Sequence, residues 1–93
     1  MTELIEPAVA GRFYPGDAES LEQMVGQYIG EPQPQPAVGV VSPHAGYVYS
    51  GAVTGATLAT VTITPVVLVL CPKHSPFGEK TALMTHGSWR IPG

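Results

Sequence analysis

"AVGVVSPHAGYVYSG", residues 37–51, decides how this chain is read. A short apolar run ends at Ser42, and His44 follows at once in a loop bounded by Pro43 and Gly46. A run of this length with no polar alternation suits a strand buried on both faces, as in parallel sheet. Ser50 is a candidate N-cap for a small-residue helix through "GAVTGATLAT", residues 51–60, although its glycines and β-branched residues are weak helix formers. "PVVLVLC", residues 65–71, is the strongest strand signal in the chain. Strand, helix and strand in this span predict a βαβ unit with parallel strands and a right-handed crossover. The fold class is therefore α/β.

Outward from that unit, "TALMTHGSWRIPG", residues 81–93, predicts one more short strand and a turn. Toward the N-terminus the first ten residues read as extended chain, and "GRFYPGD" supplies a Pro-Gly turn. Asp17 is the expected N-cap of a helix. Leu21, Met24, Val25, Tyr28 and Ile29 then recur at helical spacing and form one apolar face, with Gly30 as its terminator. Tyr28 belongs to that face and reads as a core residue. "EPQPQP", residues 31–36, is an extended connector rather than a domain boundary, so residues 1–93 are read as part of one domain.

Charged residues make up only 12% of the chain, about half the usual share, so much of its surface is expected to be covered by further chain or by a partner. A net charge of −3 with scattered Lys and Arg gives no footprint for nucleic acid. No apolar run approaches the roughly 20 residues that span a bilayer, and the start lacks a signal-peptide pattern. A lone cysteine, Cys71, excludes an internal disulfide and suits the cytoplasm.

In a βαβ unit both strands end on the same edge of the sheet, where α/β proteins bind ligands. His44 lies just beyond the first strand and His74 just beyond the second, so the topology is expected to bring the two imidazoles together. Each reads either as an ordinary polar loop residue or as a ligand. Two neutral imidazoles would suit zinc, copper or iron, and a working iron site usually adds a carboxylate. Tyr47 and Tyr49 offer phenols that either donate to a bound ligand or pack as walls. His86 precedes Gly87 in an expected turn, and Cys71, although it spells C-x-x-H with His74, reads as a small core residue.

The order of three blocks resembles the N-terminal part of the Memo family, whose prokaryotic members are called AmmeMemoRadiSam system protein B. "EPAVAGRFYPGDAESLEQMV" resembles that family's opening and acidic helix, and "PHAGYVYSG" its most distinctive motif. "VVLVLCPKHSPFGEKTALMTHGSWRIPG" resembles its third block, with Cys71 in place of a usual glycine and Lys73 in place of a usual asparagine. The resemblance implies a class III extradiol dioxygenase-like sheet flanked by helices, with His44 as a metal ligand and His74 as a second ligand or pocket residue. It also implies binding of iron or copper, a functional link to a radical SAM protein, and, for the animal member, a role in cell motility signalling.

The family continues beyond the residues present here, so the chain is expected to be incomplete. It should bind metal weakly, catalyse little, and expose faces meant for the remaining Memo-domain segments or a partner chain. Lys73, beside the site, would favour an anionic ligand. Three readings follow: a metal-binding, dioxygenase-like protein of unsettled reaction, a non-catalytic module that binds a ligand or peptide, and a truncated product with no independent function. Metal ligation by imidazole requires the neutral ring, so binding should weaken on acidification.

Overall fold

The computed structural model describes residues 3–93. In chain order its elements are β1 (Leu4–Ile5), α1 (Ala18–Ile29), α2 (Tyr47–Leu58) and β2 (Ser88–Trp89). This is a small α/β arrangement in which the two strands pair in parallel, Leu4 opposite Ser88 and Ile5 opposite Trp89. The ladder is short, closed by Ser88 N–H to Glu3 O and Arg90 N–H to Ile5 O at 2.8 and 2.9 Å. An exposed Glu6–Arg90 ion pair at 3.1 Å lies just beyond it and adds little in high dielectric.

Helix α1 forms where the apolar spacing predicts. The Asp17 carboxylate accepts from Ser20 N–H at 2.8 Å, and Gly30 ends the helix at φ +61°. Leu21 is buried, while Met24, Val25, Tyr28 and Ile29 are half-buried on the same face.

Helix α2 starts at Tyr47 rather than after Ser50. The cause is tertiary. The carbonyl of Phe13, in the turn before α1, accepts the Tyr47 N–H at 2.7 Å and so satisfies an otherwise free donor of the first helical turn. The helix needs no side-chain cap, and Ser50 is buried within it.

The two helices pack through small residues of α2. A Cβ on Gly55 would fall 2.5 Å from the backbone carbonyl of Tyr28, and one on Gly51 would run into the Tyr28 ring. Tyr28 Oη donates to the Tyr47 carbonyl at 3.1 Å, tying the end of α1 to the start of α2.

The expected strands at residues 37–42 and 65–71 do not form ladders. A single parallel bridge, Gln35 with Val61, stands at their near end, where Gln35 N–H donates to Thr60 O and Thr62 N–H to Gln35 O. The parallel sense of the βαβ unit survives there, but the pairing stops. A doubly buried strand needs a lateral ladder and a cover on each face. The two helices are committed to one another, and Val66–Leu70 remain 57–86% exposed. Cys71, expected in the core, is exposed for the same reason.

Candidate metal centre

The "SPHAG" loop is strapped to α2 on both sides of His44. Ser42 Oγ donates to Thr54 Oγ1 at 2.9 Å, and Thr54 Oγ1 donates to the Pro43 carbonyl at 3.1 Å. Ser50 Oγ donates to the Ala45 carbonyl at 2.9 Å. The carbonyls immediately before and after His44 are thus both fixed by α2 side chains. This accounts for the proline, the small residues and the serines around the histidine: the loop holds one backbone path.

His74 arrives from a second loop and meets His44. Their Nε2 atoms are 3.2 Å apart, with ring centroids at 5.3 Å and planes inclined by 42°. The expected meeting of the two imidazoles therefore occurs even without the ladder. Without a metal, one ring can donate its N–H to the other. Two imidazole nitrogens bound to one first-row metal at about 2.1 Å sit roughly 3.0–3.4 Å apart, so the donor pair fits a shared ion. Among the described residues no third His, Cys, Asp or Glu joins the pair.

Phe13, Pro43 and Ala45 line the open space beside the two rings. Phe13 is the residue that local sequence reading misses. Its carbonyl starts α2 and the residue lines the space beside the histidine pair, and neither role leaves a mark in "GRFYP" itself.

A second cavity, of about 330 Å³, lies between α1, α2 and the N-terminal turn, and reaches His44 at its rim. Tyr47 lines it and packs against Tyr14, ring centroids 5.3 Å apart. Tyr49, two residues on and so on another side of the helix, is 85% exposed and lines neither cavity. The Lys73 ammonium donates to the Gly78 carbonyl at 3.1 Å, closing its own loop. His86 pairs with the Thr85 hydroxyl at 3.3 Å in a turn where Gly87 has φ +102°.

Comparison with known proteins agrees with these motifs. A family model described as "Memo-like protein" matches residues 6–93. A MEMO1 family protein of Methanopyrus kandleri is 40% identical over 92% of this chain and 35% of its own length. A MEMO1 family protein of Archaeoglobus fulgidus is 36% identical over 92% of this chain and 33% of its own. One from Nitrosopumilus maritimus is 35% identical over 94% and 35%. The chain thus spans about a third of the length of the curated relatives it matches. No solved structure matches it.

Proposed function

This chain belongs to the Memo family, and from that premise we propose that it supplies two ligands, His44 and His74, of a transition-metal site in a dioxygenase-like domain. The 3.2 Å approach of the two Nε2 atoms carries this reading. Iron, copper and zinc all accept imidazole, and a bound iron or copper would supply redox as well as Lewis-acid chemistry. Two histidines leave half or more of a coordination shell open, and no third ligand stands beside them among the described residues, so these two alone hold a metal weakly.

The chain's own groups then act as a positioning frame. Thr54 and Ser50 fix the backbone on either side of His44, while Phe13 lines the space beside the rings. The cavity between the helices offers an apolar volume beside His44, within the range of small-molecule sites. That volume also favours a second reading, a ligand- or peptide-binding module that performs no reaction. A single cysteine supports a reducing, cytoplasmic setting. The functional link to a radical SAM protein rests on the system name of the prokaryotic members.

A thermal-shift titration with anaerobic Fe(II), Cu(I) and Zn(II) tests the metal reading. We expect a rise with one metal that disappears in both His44→Ala and His74→Ala. A rise indifferent to both substitutions would overturn the assignment. Oxygen uptake by a longer relative loaded with iron and given a catechol separates enzyme from module.

A further inference from the structure

We propose that the cavity between α1, α2 and the N-terminal turn binds an uncharged small molecule of one or two rings. Its apolar body lies between the helices and a single hydroxyl meets His44. The inference rests on the ligand-binding reading above, to which it gives a chemistry, and it does not depend on a bound metal.

The first observation is that the space is built. Helices in contact usually bury the residues between them, yet Val25, Ile29 and Tyr47 are only half-buried around about 330 Å³ of open volume. Tyr28 forms a fixed wall. Its ring is seated against Gly51 and its backbone against Gly55, and its Oη donates to the Tyr47 carbonyl at 3.1 Å. A ring held at both ends does not swing inward to fill the gap.

The second observation is charge. No Lys, Arg, Asp or Glu lines the cavity. Three of its hydroxyls are turned to the chain's own carbonyls: Tyr28 to Tyr47, Ser50 to Ala45 and Thr54 to Pro43. A charged ligand would shed its water here and meet no counter-charge, so the site selects against it. The third is size and shape. An apolar protein cavity of about 150 Å³ holds one benzene, so this volume suits one or two rings. Tyr14 and Tyr47, inclined at 40°, offer ring faces and edges to a third ring.

The polar end follows from a shared wall. Phe13, Pro43, His44 and Ala45 line both this cavity and the space beside the histidine pair. The two spaces therefore adjoin at His44. A neutral imidazole offers one donor and one acceptor, and a hydroxyl matches either.

The test is equilibrium dialysis of the chain at neutral pH with chelator present, so that its result leaves the metal reading untouched. The probes are β-naphthol, β-naphthoate and β-methylnaphthalene, and circular dichroism follows the helicity of each variant. We expect one β-naphthol per chain and β-naphthoate at least about tenfold weaker. Val25→Phe, which fills the cavity, should weaken β-naphthol at least about tenfold, and Ile29→Phe reads the same space should the first variant lose helicity. Leu68→Lys, on a run 73% exposed at that residue, should change nothing. His44→Ala should weaken β-naphthol about fivefold and leave β-methylnaphthalene unchanged. Failure of the parent chain to bind any probe overturns the cavity as a ligand site and the ligand-binding reading with it. Equal binding of β-naphthoate and β-naphthol overturns the chemistry alone. Helical Val25→Phe or Ile29→Phe that binds like the parent, or loss of binding with Leu68→Lys, puts the probe outside the cavity and overturns the proposal. An unchanged β-naphthol affinity in His44→Ala, or an equal loss for both neutral probes, overturns the polar end.

Discussion

The Nε2 atoms of His44 and His74 lie 3.2 Å apart although thirty residues separate them in the chain. Groups that share one ion act as a unit. Each His→Ala substitution should therefore cost most of the metal affinity, about tenfold or more, and the double variant should be little worse than either single one. Isothermal titration with zinc measures this, and additive losses would mean two independent sites.

The loop strap makes a second, subtler prediction. Thr54→Val keeps the shape of the side chain but removes the donor to the Pro43 carbonyl and the acceptor for Ser42. A hydrogen bond of this kind is worth about 1 kcal/mol, so metal affinity should fall roughly fivefold. The helical circular-dichroism signal should stay, because α2 is started by the Phe13 carbonyl and not by Thr54.

Two glycines in helices should respond to alanine with opposite signs. Gly55→Ala places a Cβ 2.5 Å from the Tyr28 backbone, so the helix pair must separate, at about 1–3 kcal/mol. Gly26→Ala meets nothing within 4 Å and should stabilise α1 by up to about 1 kcal/mol. Urea titration of helicity reads both.

Helix α1 carries a pH dependence at its first turn. The Ser20 N–H donated to Asp17 holds that carboxyl below its ordinary 3.8. A depressed carboxylate stabilises the fold above its unfolded pKa and loses that contribution as pH falls through the folded one. Asp17→Ala should therefore lower helicity at neutral pH, and the gap to the parent chain should close progressively below pH 3.8. A gap that stays constant down to strong acid would remove Asp17 from the cap.

Local chemistry made α1 legible in full, because the apolar stripe, the aspartate cap and the terminating glycine all lie within fourteen residues of one another. The pairing of His44 with His74 was legible from topology, since two parallel segments joined by a helix end on the same side. Local reading misplaced the two strands at residues 37–42 and 65–71, which form no ladder, the burial of Cys71, and the start of α2. Its first turn depends on a carbonyl thirty-four positions earlier, and no residue near Tyr47 carries a signal of that contact. Tyr47 and Tyr49 then part company by helix geometry, one packed on Tyr14 and the other in solvent.

The sequence by itself determined the family and the first helix, because each rests on residue types at short or motif spacing, and it yielded the α/β class and the two facing histidines through the expected order of its elements. Only the tertiary structure decided that Phe13 lines the site, that Ser50 and Thr54 fix the backbone on either side of His44, and that Val66–Leu70 stand unpaired. The physical reason is common to all three. A side-chain strap or a β ladder exists only when the second surface is in place, and among the described residues none pairs with residues 66–70.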